Sequence, residues 1–477
     1  MTIRTRFAPS PTGYMHIGNL RTALYEYLIA KGNSDGKFIL RIEDTDQKRY
    51  VEGATDIIYA TLKRVGMNWD EGPDIGGKYG PYVQSERKEI YAEYAHKLVE
   101  LGGAHYCFCS KEEADEEKDE EQNIKFEDPC KNIPLEEAKK RIADGESYVI
   151  RQTINKQGKS KYHDEVYGDI EIDYDELDEG VLLKSDGFPT YNFANVVDDH
   201  LMEISHVVRG NEYISSTPKY NLIYESFGWT PPHYVHVPPV MKDAQHKLSK
   251  RNGDASFQDL VAKGYLPEAI INYIALLGWN PGTDEEIFSL EELKERFSVE
   301  RLNRSPAIFD IVKLTWMNGQ YIRKLSEEEF YEMALPYIKK VITRDVDNKL
   351  LSKVLQLRVE TLADILSQIG FLEQVEDYSN DLYINKKMKT DEEISKQALG
   401  YAAAALEQTE EWNNDNLFAV LKHVAEEKGL KNGQIMYPVR IALSGKETTP
   451  GGATELAVIL GKDESLKRLK NALLKLG

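Results

Sequence analysis

The sequence predicts an α/β domain on a parallel sheet, split by an α+β insertion and followed by an all-α region. Three observations carry this. The N-terminal part alternates short apolar runs with amphipathic stretches. From Cys107 to about Asp178 the chain turns acidic and then strand-like. Beyond about Arg323 the pattern is almost wholly helical.

In order, "TIRTRFA" reads as a strand, "NLRTALYEYLIAK" as a helix and "KFILRIED" as a second strand. The helix carries an apolar stripe of Leu20, Ala23, Leu24, Tyr27 and Leu28 at the 3.6-residue period. Strand, helix, strand implies a parallel pair, with ligands at the carboxyl ends of the strands. "EGATDIIYATLKRVG" and "SERKEIYAEYAHKLVELGG" are further amphipathic helices closed by glycine. In the insertion, the acidic run around Glu112–Glu121 reads as a solvated surface. "SYVIRQTI" and "HDEVYGDIEI" read as strands, and "GVLLKSDGFPTYNFANVVDDHLMEISHVVRG" restores sheet-like apolar runs. "SKVLQLRVETLADILSQIGF" and "DNLFAVLKHVAEEKG" read as helices.

The 477 residues allow roughly three domains. A hydrophobic share of 41% and a charged share of 29% are ordinary for a globular chain. No apolar run reaches the ~18 residues a membrane span needs, and the start lacks a signal-peptide core, so a cytoplasmic location is expected. Three cysteines argue for a reducing compartment rather than a disulfide scaffold. A net charge of −20 argues against general affinity for nucleic acid, but not against a local basic patch.

Two stretches carry chemistry. In "FAPSPTGYMHIGNLRT", Pro9 and Pro11 stiffen a turn that opens a helix at His16 and Gly18. Such a helix mouth aims backbone N–H groups and a positive dipole outward, which suits a phosphate. Gly18 permits close approach, and His16 can donate to a phosphate oxygen as charge develops. The glycine spacing is neither GxGxxG nor a Walker loop. In "QHKLSKRNGD", Lys247, Ser249, Lys250 and Arg251 form a compact basic loop able to neutralise a triphosphate.

"PSPTGYMHIGN" resembles the HIGH signature of class I aminoacyl-tRNA synthetases, in the form found in glutamyl-tRNA synthetases, with Asn19 in the last place. "KLSKR" resembles their KMSKS motif. "LRIEDTDQKRY", "DEGPDIGGKYGPYVQSER" and "KLTWMNGQYIR" extend the resemblance over nearly the whole chain. It implies a Rossmann-like catalytic domain (residues 1–85 and 192–231), an inserted acceptor-end-binding domain (86–191), a stem-contact domain carrying the KLSKR loop (232–325) and a helical anticodon-binding region (326–477, with a break near 385). It also implies that glutamate and ATP react to glutamyl-adenylate, with Mg²⁺ riding on the ATP phosphates, before transfer to tRNA(Glu). Whether tRNA(Gln) is charged too stays open, and a monomer is the family expectation.

By the same resemblance, Arg6, Ala8, Ser10, Glu43, Tyr191, Asn195 and Arg209 hold glutamate. Pro9, Ser10, His16, Gly18, Glu212, Lys247 and Lys250 hold ATP. The catalytic set is His16, Gly18, Asn19, Lys247, Ser249, Lys250 and Arg251, and Arg358 reads the anticodon. Bottom-up, Arg6 and Arg209 can clamp a carboxylate and Glu43 can accept an ammonium. Asp198 and Asp199 read as helix-cap and ribose-side contacts in preference to a metal site. Some relatives hold zinc in the insertion. Cys107, Cys109 and Cys130 are candidate ligands here, but Asn132, Phe126 and His105 offer no convincing fourth, so zinc is not expected. The basic tail (Lys428, Lys431, Arg440, Lys446, Lys462, Lys467, Arg468, Lys470, Lys475) suits a phosphate backbone. A tRNA-modifying glutamyl-queuosine synthetase lacks the long helical C-terminal part. A nucleotidylyltransferase is much shorter, and a non-catalytic RNA-binding paralogue would have lost His16, Lys247 or Lys250.

Overall fold

The computed structural model describes residues 2–46, 48–49, 51–110, 128–248 and 256–477. They form two units, Met1–Leu260 with Ile270–Asp310, and Val261–Ala269 with Ile311–Gly477.

In chain order the first unit contains β1 (Arg4–Phe7), α1 (Ile17–Lys31), β2 (Lys37–Leu40), α2 (Ala54–Arg64), α3 (Lys88–Glu100), β3 (Ala104–Cys107), α4 (Leu135–Ala143), β4 (Val149–Gln152), β5 (Lys159–Asp164), β6 (Gly168–Asp173), β7 (Val181–Leu183), α5 (Tyr191–Leu201), β8 (His206–Gly210), α6 (Thr217–Phe227) and β9 (His233–Val237). β1 and β2 pair in parallel, Arg4 opposite Lys37 and Phe7 opposite Leu40, with α1 as their crossover. The Ser205 N–H donates to the Arg4 carbonyl at 2.9 Å and brings β8 beside β1. β8 pairs in parallel with β9.

α1 is buried more completely than its stripe predicts. Tyr25, Glu26, Ile29 and Ala30 are buried along with Leu20, Leu24 and Leu28. Strands cover one side, while residues 275–297 cover the other. Tyr25 Oη donates to the Leu277 carbonyl at 3.0 Å, and its ring lies 5.2 Å from that of Phe297. A helix enclosed all round has little amphipathicity to read.

The insertion contributes an antiparallel sheet in the order β3-β4-β7. "HDEVYGDIEI" is not one strand but the turn and second arm of the hairpin β5–β6. The Asp164 carboxylate caps the turn, accepting from the N–H of Val166 (3.0 Å) and Tyr167 (2.8 Å), and Gly168 takes φ +80°. Asp164 also pairs with Tyr234, so the hairpin joins the sheet of β8 and β9. The stretch at 191–201, within the sheet-like apolar runs, is the helix α5.

The second unit is helical around a core that includes Phe330, Leu351, Leu399, Leu417, Ile441 and Leu469. Truncating one such side chain to alanine costs about 2–5 kcal/mol. "SKVLQLRVETLADILSQIGF" is three helices rather than one: Asn348–Gln356, Asp364–Gln368 and Gly370–Glu373. Asp364, the first residue of the second helix, ties down the intervening turn by accepting from the N–H of Glu360 (2.9 Å) and Thr361 (2.7 Å).

The basic tail is largely engaged within its own unit. Arg468 is buried and donates to the carbonyls of Phe371, Leu372 and Leu443. Lys470 pairs with Glu407, Lys428 with Glu427 and Lys475 with Asp377. Counting cations along the chain overlooked the carboxylates that folding brings to them.

Candidate active site

A cavity of about 1080 Å³ opens at the carboxyl ends of β1 and β8. The loop after β1 supplies Ala8, Pro9 and Ser10, and α1 supplies Asn19, Thr22 and Glu26. Glu43 follows β2, while Tyr191 begins α5. Arg209 stands near the end of β8, and Glu212 on the turn beyond it. Parallel topology explains the convergence, since every loop leaving a carboxyl end falls on one edge. Arg6, Ala8, Pro9, Ser10, Asn19, Glu43, Tyr191, Arg209 and Glu212 are thereby brought together; His16, Gly18, Asn195 and Lys247 do not line this cavity.

His16 is itself the cap of α1. Its Nδ1 accepts from the Gly18 N–H at 3.0 Å, so the neutral ring carries its proton on Nε2. A Cβ on Gly18 would stand 3.2 Å from that Nδ1. The glycine thus admits the capping ring, and its N–H is not an open phosphate donor. Ser249, Lys250 and Arg251 lie outside the described residues. The flanks of their loop are visible. Lys247 is exposed and bridges Met241, and the Leu248 N–H donates to Val240. On the far side Ser256 bridges His16, and the Phe257 N–H donates to the Met15 carbonyl at 3.0 Å. The chain that follows the second signature therefore returns, at Ser256 and Phe257, to the mouth of α1.

A charge network lies under the cavity. Arg6 donates through Nε and Nη2 to Asp199 (2.9 and 3.2 Å) and through Nη1 to Glu26 (3.1 Å). Arg41 donates to Asp199 (2.8 Å) and Glu43 (3.0 Å). Asp198 accepts from Arg87 (2.7 Å), Tyr91 (2.8 Å) and Gln84 (2.9 Å). Asp198 and Asp199 stand in the last turn of α5, and their side chains hold buried arginines instead of capping the helix. Burial raises the Asp199 carboxyl, but Arg6 and Arg41 outweigh it and hold it below its ordinary range. For Glu43 burial prevails over Arg41, leaving it above its ordinary range.

Arg209 is held differently. Its Nε donates to His236 Nε2 (3.1 Å) and its Nη2 to Thr217 Oγ1 (3.0 Å), among the rings of Tyr213, Tyr220 and Tyr234. His236 can accept because its Nδ1 faces Asp164 Oδ2 at 2.7 Å. Asn195 is buried and donates back to the Tyr191 carbonyl at 2.7 Å.

Glu26, Arg41, Asp164 and His236 escaped the sequence reading. A charged residue inside a long buried helix, and an aspartate and a histidine 72 residues apart, give no local signal.

The insertion holds a second constellation. One ligand atom each from Cys107, Cys109, Asp128 and Cys130 lie within 4.8 Å of one another. The Cys109–Cys130 sulfur separation is 3.7 Å, close to the roughly 3.8 Å edge of a tetrahedron with Zn–S bonds of ~2.3 Å. Asp128 is the fourth candidate ligand that the sequence reading lacked. Asn132 and His105 do not take that place, and Phe126 lies outside the described residues. His105 Nε2 instead meets Asp128 Oδ2 at 3.0 Å, as an orienting partner does. Burial pushes the Asp128 carboxyl up, but His105, Cys107 and the Cys130 N–H bring it down to about 2. Burial and Cys130 push Cys109 up to about 11, which a coordinated cation would reverse. The residues fit a structural zinc.

The family model for tRNA synthetases class I (E and Q), catalytic domain, matches residues 2–316, and that for an anticodon binding domain matches residues 329–473. The fold and cavity are those of a class I synthetase. The glutamate–tRNA ligase of Clostridium botulinum is 58% identical over 99% of this chain and 98% of its own, and that of Clostridium tetani 57% over the same shares. A crystal structure of a glutamate tRNA ligase from Elizabethkingia meningosepticum, in complex with its amino acid, superposes with a TM-score of 0.90 at 33% identity, covering 100% of both chains. A glutamate–tRNA synthetase structure from Elizabethkingia anophelis gives 0.89 at 32%, covering 99% of this chain and 100% of that one. The chain belongs to the bacterial glutamate–tRNA ligase family.

Proposed function

We infer that this protein joins L-glutamate to tRNA(Glu) at the expense of ATP. The observation that carries the reading is one cavity in which two guanidiniums, Arg6 and Arg209, face Glu43 and Tyr191 beside the mouth of α1. Cations at separated points suit a substrate with two carboxylates, and Glu43 suits its ammonium. One carboxylate attacks the ATP α-phosphate, forming the acyl-phosphate bond and expelling pyrophosphate. The terminal ribose hydroxyl of tRNA then takes the acyl group and AMP leaves. The chain orients reactants and stabilises charge, with no side-chain nucleophile. His16, its proton fixed on Nε2, supports a donor role toward phosphate, with Asn19 beside it. Lys247, Lys250 and Arg251 supply positive charge and Ser249 a hydroxyl, from a signature whose downstream residues Ser256 and Phe257 are held at that mouth, and Mg²⁺ bound with ATP adds more positive charge.

Arg358, exposed on the turn after the helix Asn348–Gln356, is available to stack on or bond an unpaired base. Replacing it by Gln is expected to change relative charging of anticodon variants without changing adenylate formation; equal ratios would remove that role. No helix among the described residues is long and apolar enough to cross a membrane.

The test is charging of tRNA(Glu) and tRNA(Gln) with labelled glutamate, with glutamine as control. Glutamate on tRNA(Glu) alone marks a discriminating enzyme, and glutamate on both a non-discriminating one. Charging of neither would reject the reading.

A second reading concerns the insertion: Cys107, Cys109, Asp128 and Cys130 hold one structural zinc. Elemental analysis should give one equivalent per chain, reduced by Asp128→Ala. Metal-free protein of unchanged thermal stability would refute it.

A further inference from the structure

The chemistry above gives Glu26 no task. It is 1% exposed, yet it lines the cavity. Its Oε1 accepts from Arg6, while its Oε2 has no hydrogen-bond partner. An ionised oxygen buried without a donor loses its solvation and gains nothing in return. An acid at the same place has a proton to give and lacks only an acceptor.

The surrounding charges decide which form stands there. Facing Glu26 are Arg6 from β1, Asp199 from α5 and Arg41 after β2. Asp199 already engages both Arg6 and Arg41. A second anion on Arg6 would leave that guanidinium overmatched, and an arriving carboxylate would find little attraction from Arg6. A neutral Glu26 leaves Arg6 able to attract it.

We propose that Glu26 is a further substrate-binding residue, a neutral carboxylic acid whose Oε2–H donates to the side-chain carboxylate of glutamate beside Arg6. The inference rests on reading the cavity as the glutamate pocket. Burial, reinforced by Asp199 and only partly offset by Arg6, holds the Glu26 carboxyl well above its ordinary range. Acid and carboxylate then form a charge-assisted O–H···O⁻ bond. The pair carries no added charge, and binding at neutral pH takes up no proton. Precedent in principle exists for a buried acid kept neutral so that it can donate.

The test combines infrared difference spectroscopy with charging kinetics. In the wild-type protein at pH 7.5, adding glutamate should shift a protonated-carboxyl band to lower frequency, and Glu26→Gln should remove that band. The Gln variant retains a donor and should keep the KM for glutamate within about threefold of wild type. Glu26→Met has none and should raise it at least tenfold, with the KM for ATP moving less than twofold. No shifted band in the wild type overturns the inference whether or not the variants fold. Equal KM effects in the Gln and Met variants also overturn it. Failure of the wild type to charge tRNA with glutamate would instead overturn the functional reading, and this inference with it.

Discussion

The two arginines of the cavity are held in opposite ways. Arg6 meets carboxyl groups, with the anionic Asp199 on two of its nitrogens and Glu26 on a third. Arg209 meets neutral groups, namely an imidazole nitrogen, a hydroxyl and three aromatic faces. Both are buried and both line the same space. The charge of Arg6 is partly answered by Asp199, which it shares with Arg41, so it offers direction along with a reduced attraction. Arg209 keeps its charge unanswered inside a low-dielectric wall, so what it offers is attraction. A carboxylate should therefore feel Arg209 more strongly, whereas loss of an Arg6 partner should be felt mainly by the fold.

The largest effect is expected at Asp199. Its replacement by Ala strands Arg6 and Arg41 without their shared carboxylate. Removing one partner of a buried pair costs about 3–5 kcal/mol. Urea unfolding should show a loss of that size, and a loss under about 1 kcal/mol would mean that the network is slack. Next comes Arg209→Leu. It removes a charge-assisted contact to substrate, worth about 2–4 kcal/mol, and so raises the KM for glutamate on the order of a hundredfold. The KM for ATP should move less than twofold. An unchanged glutamate KM would break the comparison at its centre.

The contrast also marks what could be read from the sequence. The first βαβ unit was legible because alternating and helical apolar periods are local. The cavity was legible as far as motifs carried it. "PSPTGYMHIGN" pointed to Ser10 and Asn19, which line the cavity, whereas His16 and Lys247, which the two motifs also picked out, stand outside its lining. Partners were not legible. Nothing near Arg6 announces Asp199, and nothing near Arg209 announces His236, because each pair is made by long-range packing. Asp128 shows the same limit from the other side. It lies two residues before Cys130, yet a search for histidine or tyrosine passed over it. The Leu357–Thr361 break failed for another reason: an apolar helical period ran on, while the turn that interrupts it is held by the Asp364 side chain from the far side.

The smallest effect expected lies one bond behind Arg209. His236 accepts from Arg209 only while neutral, with its Nδ1–H given to Asp164. Burial, together with Arg209, lowers the His236 pKa against the pull of Asp164. In the unfolded chain the same ring titrates near its ordinary value of about 6.5. Above that pH neither state carries the proton and nothing is lost. As pH falls below it, the unfolded chain takes up a proton that folded His236 refuses, and stability declines until the folded pKa is reached. Protonation in the fold would also turn an N–H toward the guanidinium and loosen Arg209. His236→Gln, which keeps an acceptor but cannot titrate, should therefore show a shallower loss of stability between pH 7.5 and 5.5 than wild type. It should also raise the glutamate KM by no more than about tenfold, since one buried hydrogen bond is worth about 1 kcal/mol. His96, His200 and His206 also titrate low through burial and contribute to the slope in both proteins, so the difference between the two curves isolates His236. Parallel curves would mean that Arg209 is held by Thr217 and the tyrosine rings alone.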